Sequence, residues 1–403
     1  MFNDLFKKIV KSEKLGTKRP FDIEYSTGLD LVDYYNGSYT SNGIKKGIEG
    51  GRYLALVGPS GGSKTTFGIG LASNIVKGYD DGNIFLIDKE RSTSKERFLN
   101  ISKMTEEEFE NKVFHIRDEF HTETFYKLIR NLCRSKIENK DKIGIDYKVE
   151  GSNEVHKVLP PSVVLLDSLA MLTPKELSGE IGDGDSKDEL DGNMVHAQIA
   201  KANSGIFRRI LPLLDDGNIF LIVINHLSTT ININPFAKVT KQLNYLNDNE
   251  HLAGGNKVIY LANYIFKLSP GKRLKEDDDY GIKGFIVNVE MLKSRAAPAG
   301  TSFKLVYEQV NGFSNILSNM NFLYDEKLIK PGSDDFSVKF TKKKIKGLAA
   351  TNKTFRKEIR AKTKKYLIDK VIPIPDRISS NVKEVLNDEE PITPPVGKKK
   401  KKK

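Results

Sequence analysis

Short runs that are apolar at nearly every position alternate along this chain with stretches that are apolar every third or fourth residue. The runs are Leu54-Ala55-Leu56-Val57, NIFLID at Asn83–Asp88, VFHI at Val113–Ile116, SVVLLD at Ser162–Asp167 and NIFLIVIN at Asn218–Asn225. Their length and continuity predict strands buried on both faces. Between them, residues 67–76 suit a helix. Residues 121–139 put Phe125, Leu128, Ile129 and Leu132 on one helical face, and 189–214 read as a long helix. Strands separated by helices predict an α/β fold whose mostly parallel central sheet is covered by helices on both faces. Residues 284–292 and 302–308 alternate apolar with polar and are expected to extend the sheet antiparallel.

The flanks read differently. Phe2, Leu5, Phe6 and Ile9 predict a short amphipathic helix over 2–12, followed by a polar extended segment. Ser26 to Asp33 reads as a capped helix start. Two connections, 177–191 and 227–255, are too long for plain turns, and loops of that length are usually functional or disordered. Beyond residue 315 the chain turns basic: 339–370 set many lysines and arginines against Glu358 and Asp369 alone. Residues 373–395 are rich in Pro, Asn and Asp, and the chain ends in Lys398–Lys403. Four regions follow. They are an N-terminal helix and extended segment (1–45), a core (46–315), a basic C-terminal region (316–372) and a disordered Lys-rich tail (373–403).

The first apolar run ends at Gly58 and leads through Pro59, Ser60, Gly61, Gly62 and Ser63 to Lys64, Thr65 and Thr66. A strand, a glycine-rich turn and a helix opening on Lys-Thr make a phosphate cradle. Turn N–H groups and the helix N-terminus face the anion, lysine adds a charge, and the threonine hydroxyl suits Mg2+. The usual pattern is G-x-x-x-x-G-K-[ST], and here Ser63 stands for the second glycine. Glu90 follows the second run closely enough to activate water against a γ-phosphate. Asp167, at the end of a third run, suits the metal held by Thr65. Asn225 and His226 end the most apolar run, where polar groups can touch the same phosphate. Lys293 and Arg295 are two cations on one side of a strand end.

Composition narrows the setting. A net charge of +12 favours anionic partners, nucleic acid first among them. The single cysteine, Cys133, excludes an internal disulfide and a Cys-based zinc site and suits a reducing cytoplasm. No run of 18 apolar residues predicts a membrane span, and the charged N-terminus does not read as a secretory signal. The 227–255 loop carries Phe236, Lys238, Lys241 and Tyr245, a mix that suits single strands: cations for phosphates, aromatics for bases at about 1–3 kcal/mol each. Lys201, Arg208 and Arg209 on the long helix add to such a groove.

Together these residues resemble the RecA family of recombinases, most closely its bacteriophage branch, the UvsX-type proteins, over about residues 26–310. LLDSLAMLTPKELSGEIGD resembles the family's metal-binding strand running into its first DNA-binding loop, and INHLSTT the strand leading to the second. Leu252 to Lys257, with Gly254 and Gly255, resembles the segment closing that loop. Lys293-Ser294-Arg295 resembles the residues that reach ATP on an adjacent subunit. The resemblance implies a RecA-like P-loop NTPase core with ATP and Mg2+ as cofactors, Lys64 on the phosphates, Glu90 as the water-activating residue and His226 as γ-phosphate sensor. It also implies a homo-oligomeric helical filament on single-stranded DNA that pairs with double-stranded DNA, and 2–25 packing on a neighbouring protomer. A recombination mediator and a single-strand-binding protein are the implied partners. The implied setting is cytoplasmic, the host cytoplasm if phage-encoded. Departures are an acidic first loop, a basic tail where the branch tends to be acidic, and Arg97 at the expected base-stacking aromatic, with Phe98 next to it, so that the role falls to this pair. The branch tolerates a residue other than glycine at Ser63. The alternatives are a ring-forming replicative helicase of the same fold, a non-catalytic DNA-binding recombination accessory protein, and a small-molecule kinase.

Overall fold

The computed structural model describes residues 23–372 except 41–42, 149–153, 178–188, 230–244, 248, 253–255, 277–279, 296, 331 and 333–334, with backbone alone at 189–193, 229 and 256–257. The expected 2–12 helix, nearly all of the 177–191 loop, most of the 227–255 loop and the 373–403 tail lie outside the described residues.

The main helices are α1 (Asp30–Tyr35), α2 (Lys64–Val76), α3 (Lys95–Ser102), α4 (Glu106–Lys112), α5 (Thr122–Glu138), α6 (Glu189–Asp216), α7 (Asn256–Leu261), α8 (Asn315–Asp325), α9 (Ile345–Thr351) and α10 (Lys353–Lys370). The strands of the central sheet are β1 (Tyr53–Gly58), β2 (Asn83–Asp88), β3 (Val113–Ile116), β4 (Ser162–Asp167), β5 (Ile219–Thr229), β6 (Glu250–Leu252), β7 (Tyr264–Leu274), β8 (Gly284–Lys293), β9 (Ser302–Glu308) and β10 (Gly312–Phe313). Their order is β10-β9-β8-β7-β1-β5-β4-β2-β3, with β6 paired to the far end of β5. From β7 through β1, β5, β4 and β2 to β3 every pairing is parallel; β8, β9 and β10 continue it antiparallel. This is the α/β architecture expected from the alternation of runs.

The apolar runs are continuous because each strand feeds two cores. Leu54 and Leu56 of β1 join one cluster, with Val163 and Leu165 of β4 and Phe220, Ile222 and Ile224 of β5. Their alternate neighbours Tyr53, Ala55, Val57, Val164, Leu166, Leu221 and Val223 join the other. Side chains alternate faces along a strand, so a sheet covered on both sides needs apolar residues at every position. Helices α1, α2, α3, α8 and α10 cover the first face, and α5, α6 and α7 the second.

Three local outcomes differ from the pattern-based reading. Ser26 does not cap a helix: α1 begins at Asp30 after an uncapped Leu29. The Ser26 and Thr27 hydroxyls instead donate to the Asp33 carboxylate at 2.6 Å each, because Asp33 is buried and requires partners there. Second, β5 continues four residues past Asn225, because β6 returns to pair with it. Third, α9 and α10, to which no pattern was assigned, pack onto the core: Phe355, Ile359 and Leu367 are buried in the cluster that contains Leu31 and Leu323. Among the described residues no helix is long and apolar enough to cross a membrane.

Candidate functional site

Register decides which strand ends meet. In the parallel ladder Asp88 pairs with Asp167, and His226 with Gly58. The carboxyl ends of β1, β5, β4 and β2 therefore line one edge of the sheet, and the turns after them converge there.

At Gly58 the φ is 151°, and a Cβ would sit 2.1 Å from the Leu268 carbonyl oxygen of β7. Only glycine lets β1 and β7 approach so closely. Gly62 N–H then closes the turn on the Pro59 carbonyl at 3.2 Å. Ser63 takes a left-handed φ of 61°, and its carbonyl accepts Phe67 N–H at 2.9 Å, the first bond of α2. The position thus uses the conformation that glycine favours, and serine adopts it at some cost. Lys64 is nearly buried. Its ammonium lies across the turn, 3.0 Å from the Gly58 carbonyl and 2.7 Å from that of Pro59, and desolvation lowers its pKa.

Two carboxylates, Asp167 and Glu90, face this cradle from the neighbouring strand ends. Asp167 Oδ2 accepts the Thr65 hydroxyl at 2.7 Å. Burial pushes the Asp167 carboxyl up to about 6, and the charges of Glu90 and Asp88 add to that. The Asp167 carbonyl accepts Lys89 N–H at 2.8 Å and Glu90 N–H at 3.4 Å, which hangs the turn after β2 beside the cradle. Glu90 Oε1 lies 2.8 Å from His226 Nε2. Burial alone would raise the Glu90 carboxyl, but the contact with His226 and the charge of Lys64 hold it below its ordinary value.

These groups enclose a cavity of about 220 Å3, lined by residues 60–66 with Glu90, Arg97, Asp167, Ile224, His226, Phe285 and Tyr307. A second cavity of about 940 Å3 adjoins it, sharing Arg97, Phe285 and Tyr307 and bounded by the β7–β8 hairpin. The first holds a lysine, turn N–H groups and acidic oxygens, chemistry that suits phosphate; the second offers two aromatic rings beside Arg97, Arg273, Lys275 and Lys283, chemistry that suits a flat ring carrying anionic groups. The Thr65 hydroxyl and the Asp167 carboxylate are hard oxygen donors that fit Mg2+. Among the described residues no group of three or more His, Cys, Asp and Glu is arranged to hold a metal unaided. An ion on Thr65 and Asp167 would therefore take its remaining ligands from water and phosphate oxygens.

The other sequence-predicted residues lie elsewhere. Phe98 is a correction: it is buried in the core, edge-to-face with Phe109 at 5.2 Å. One residue earlier on α3 the direction differs by about 100°, so Arg97 faces the cavity, its Nη2 on the Thr66 hydroxyl at 3.1 Å. Lys293 pairs through Ile265 with Ala55, near the start of β1, so it and the exposed Arg295 belong to the opposite edge of the sheet. Lys293 Nζ donates there to the Tyr260 carbonyl at 2.6 Å. Arg208 is exposed on α6, and Tyr245 is exposed beside Gly300. The Lys257 backbone opens α7, while Phe236, Lys238, Lys241, Gly254 and Gly255 lie outside the described residues. Phe285 of β8 and Tyr307 of β9 line the cavity without any local signal that their side chains reach a turn far upstream in the chain, and Ile224 of β5 reads only as one more apolar strand position. No family model matches the chain, and no curated protein matches it.

Proposed function

We propose that this chain is an ATP-hydrolysing DNA recombinase of the RecA type, which forms a helical filament on single-stranded DNA and pairs it with a homologous duplex. One observation carries the reading: Lys64, Thr65, Asp167, Glu90 and His226, from the ends of four parallel strands, line a single cavity. In this reading the turn N–H groups and Lys64 bind the β- and γ-phosphates, and Thr65 with Asp167 holds Mg2+. That ion, when bound, offsets charge on the phosphate oxygens. Glu90, whose carboxyl His226 and Lys64 hold below its ordinary value despite burial, orients water and accepts its proton. Arg97 and Tyr307 take the base side.

His226 stands beside Glu90 on the strand that runs on to Thr229, at the root of the 230–249 segment. A change in its phosphate contact thereby reaches the segment assigned to DNA, with Phe236, Lys238, Lys241 and Tyr245 as contacts and Gly254, Gly255 and Lys257 closing it. Arg208 extends the basic groove. Lys293 and Arg295, on the opposite sheet edge, suit a head-to-tail assembly in which they meet nucleotide on the next subunit; such heterologous contacts build helices. The mediator, the single-strand-binding partner and the cytoplasmic setting belong to the same proposal.

The test combines turnover with electron microscopy. ATP hydrolysis stimulated by single-stranded DNA, abolished in Lys64→Ala, and open helical filaments with a non-hydrolysable ATP analogue are expected. Closed hexameric rings would transfer the protein to the helicases; DNA binding without turnover would make it an accessory protein.

A further inference from the structure

Asp88 is wholly buried at the end of β2 and does not line the candidate phosphate cavity. Its carboxylate closes the turn that carries Glu90. Oδ1 accepts Ser92 N–H and Oδ2 accepts Thr93 N–H, each at 3.1 Å. Arg91 N–H returns to the Asp88 carbonyl at 3.2 Å, with Arg91 in a left-handed φ of 53°. From the other side, Lys89 and Glu90 donate to the Asp167 carbonyl. The turn is thus suspended between two strand-end aspartates.

A buried carboxylate persists only where charge and hydrogen bonds meet it. The partners come from β3 and the residue beyond it. His115 Nε2 lies 3.2 Å from Asp88 Oδ2 and 3.2 Å from Arg117 Nε, which itself lies 3.7 Å from Asp88 Oδ2, while Arg117 Nη2 donates to the Thr93 carbonyl. The 91–93 end of the turn is therefore tied to Asp88 and the 89–90 end to Asp167.

We infer that Asp88, held by His115 and Arg117, is a positioning residue that fixes the Glu90 carboxylate beside His226 and over the phosphate cradle. This rests on the reading of Glu90 as the water-activating residue. Neither His115 nor Arg117 needs to touch nucleotide; their part is to keep Asp88 charged and in place. Displacing a reacting group by about 1 Å costs on the order of 100-fold in rate, so the turn matters even though no atom of Asp88 reacts.

The test uses the full-length protein with single-stranded DNA and ATP. Asp88→Asn keeps the shape but turns an NH2 group toward an N–H donor. Its kcat is expected to fall about 10- to 100-fold, with KM for ATP within twofold and a cooperative melting transition retained. His115→Leu should reproduce the loss, and His115→Gln, which keeps a donor, should restore most of the rate. Asp88→Asn added to Glu90→Gln should slow the reaction no further. An Asp88→Asn or His115→Leu enzyme with wild-type kcat overturns the inference, as does a rise in KM without a fall in kcat, or an additive loss in the double variant. A fully active Glu90→Gln would instead overturn the underlying assignment of the water-activating residue.

Discussion

Ser63 holds a left-handed backbone where an L-residue pays roughly 1–2 kcal/mol. Glycine removes that strain but adds freedom to the unfolded chain, so Ser63→Gly is expected to change stability by less than about 1 kcal/mol and to retain ATP turnover. Ser63→Val, branched at Cβ, should lower the melting temperature. A Ser63→Gly protein without turnover would contradict the geometry of the turn. Asp167 offers a second residue-scale test. Its carboxyl is raised from 3.8 to about 6 in the fold, so folding favours the neutral acid. The stability it contributes is full below pH 3.8 and lost as pH rises through about 6, on the order of 1–3 kcal/mol in all. In nucleotide-free protein Asp167→Asn should therefore raise the melting temperature at pH 8 and leave it nearly unchanged at pH 4, while abolishing hydrolysis. Equal melting temperatures at pH 8 would show that the buried charge is better compensated than its surroundings indicate.

At the scale of elements, α1 is clamped to α10 and α8. Asp30 Oδ1 and Oδ2 accept Arg360 Nη2 and Nε at 2.8 and 2.9 Å, and Asn315 and Asn319 donate to Oδ2 at 3.0 and 2.7 Å. Burial works to raise the Asp30 carboxyl, but the Arg360 pair and the two amides outweigh it and lower the pKa. Its stability contribution is present above pH 3.8 and lost as pH falls through the lower folded value. Arg360→Met keeps the stem and leaves Asp30 with the amides alone. Urea denaturation at pH 7 should show a loss of about 1–3 kcal/mol, with a flatter acid limb than wild type. An unchanged acid limb would mean that Arg360, half exposed, adds little to what the amides supply.

At the scale of the whole molecule, the region beyond residue 315 completes the first core layer. Truncation at 352 would uncover Leu31, Met320 and Leu323 where α10 buries Phe355, Ile359 and Leu367. Loss of a single cooperative unfolding transition is expected, read by circular dichroism during heating; a truncated chain that melts like wild type would make α10 a separate unit. The net charge of +12 belongs to this scale too. Affinity for a single-stranded oligonucleotide should fall steeply with salt, each neutralised phosphate adding about 0.7 to the log–log slope. Lys238→Ala and Lys241→Ala should each reduce that slope by about that amount, measured by fluorescence anisotropy. A slope unchanged in both variants would move the DNA contact elsewhere on the surface.

How much was legible depends on how local each cause is. Continuous apolar runs between helical stretches report burial on two faces, a property of each strand, so the layered α/β architecture could be read along the chain. The turn from Gly58 to Thr65 was legible for the same reason: its glycines and lysine are neighbours in sequence. Pairing is not local. That Leu268 approaches Gly58, that His226 lies beside Glu90 rather than at an isolated strand tip, and that Tyr307 and Phe285 border the same space follow from register between distant strands. Phe98 and Arg97 mark the limit most clearly. Adjacent in sequence, they point about 100° apart on a helix, and only the packing of α3 against α2 and the Phe109 ring decides which of them faces the core.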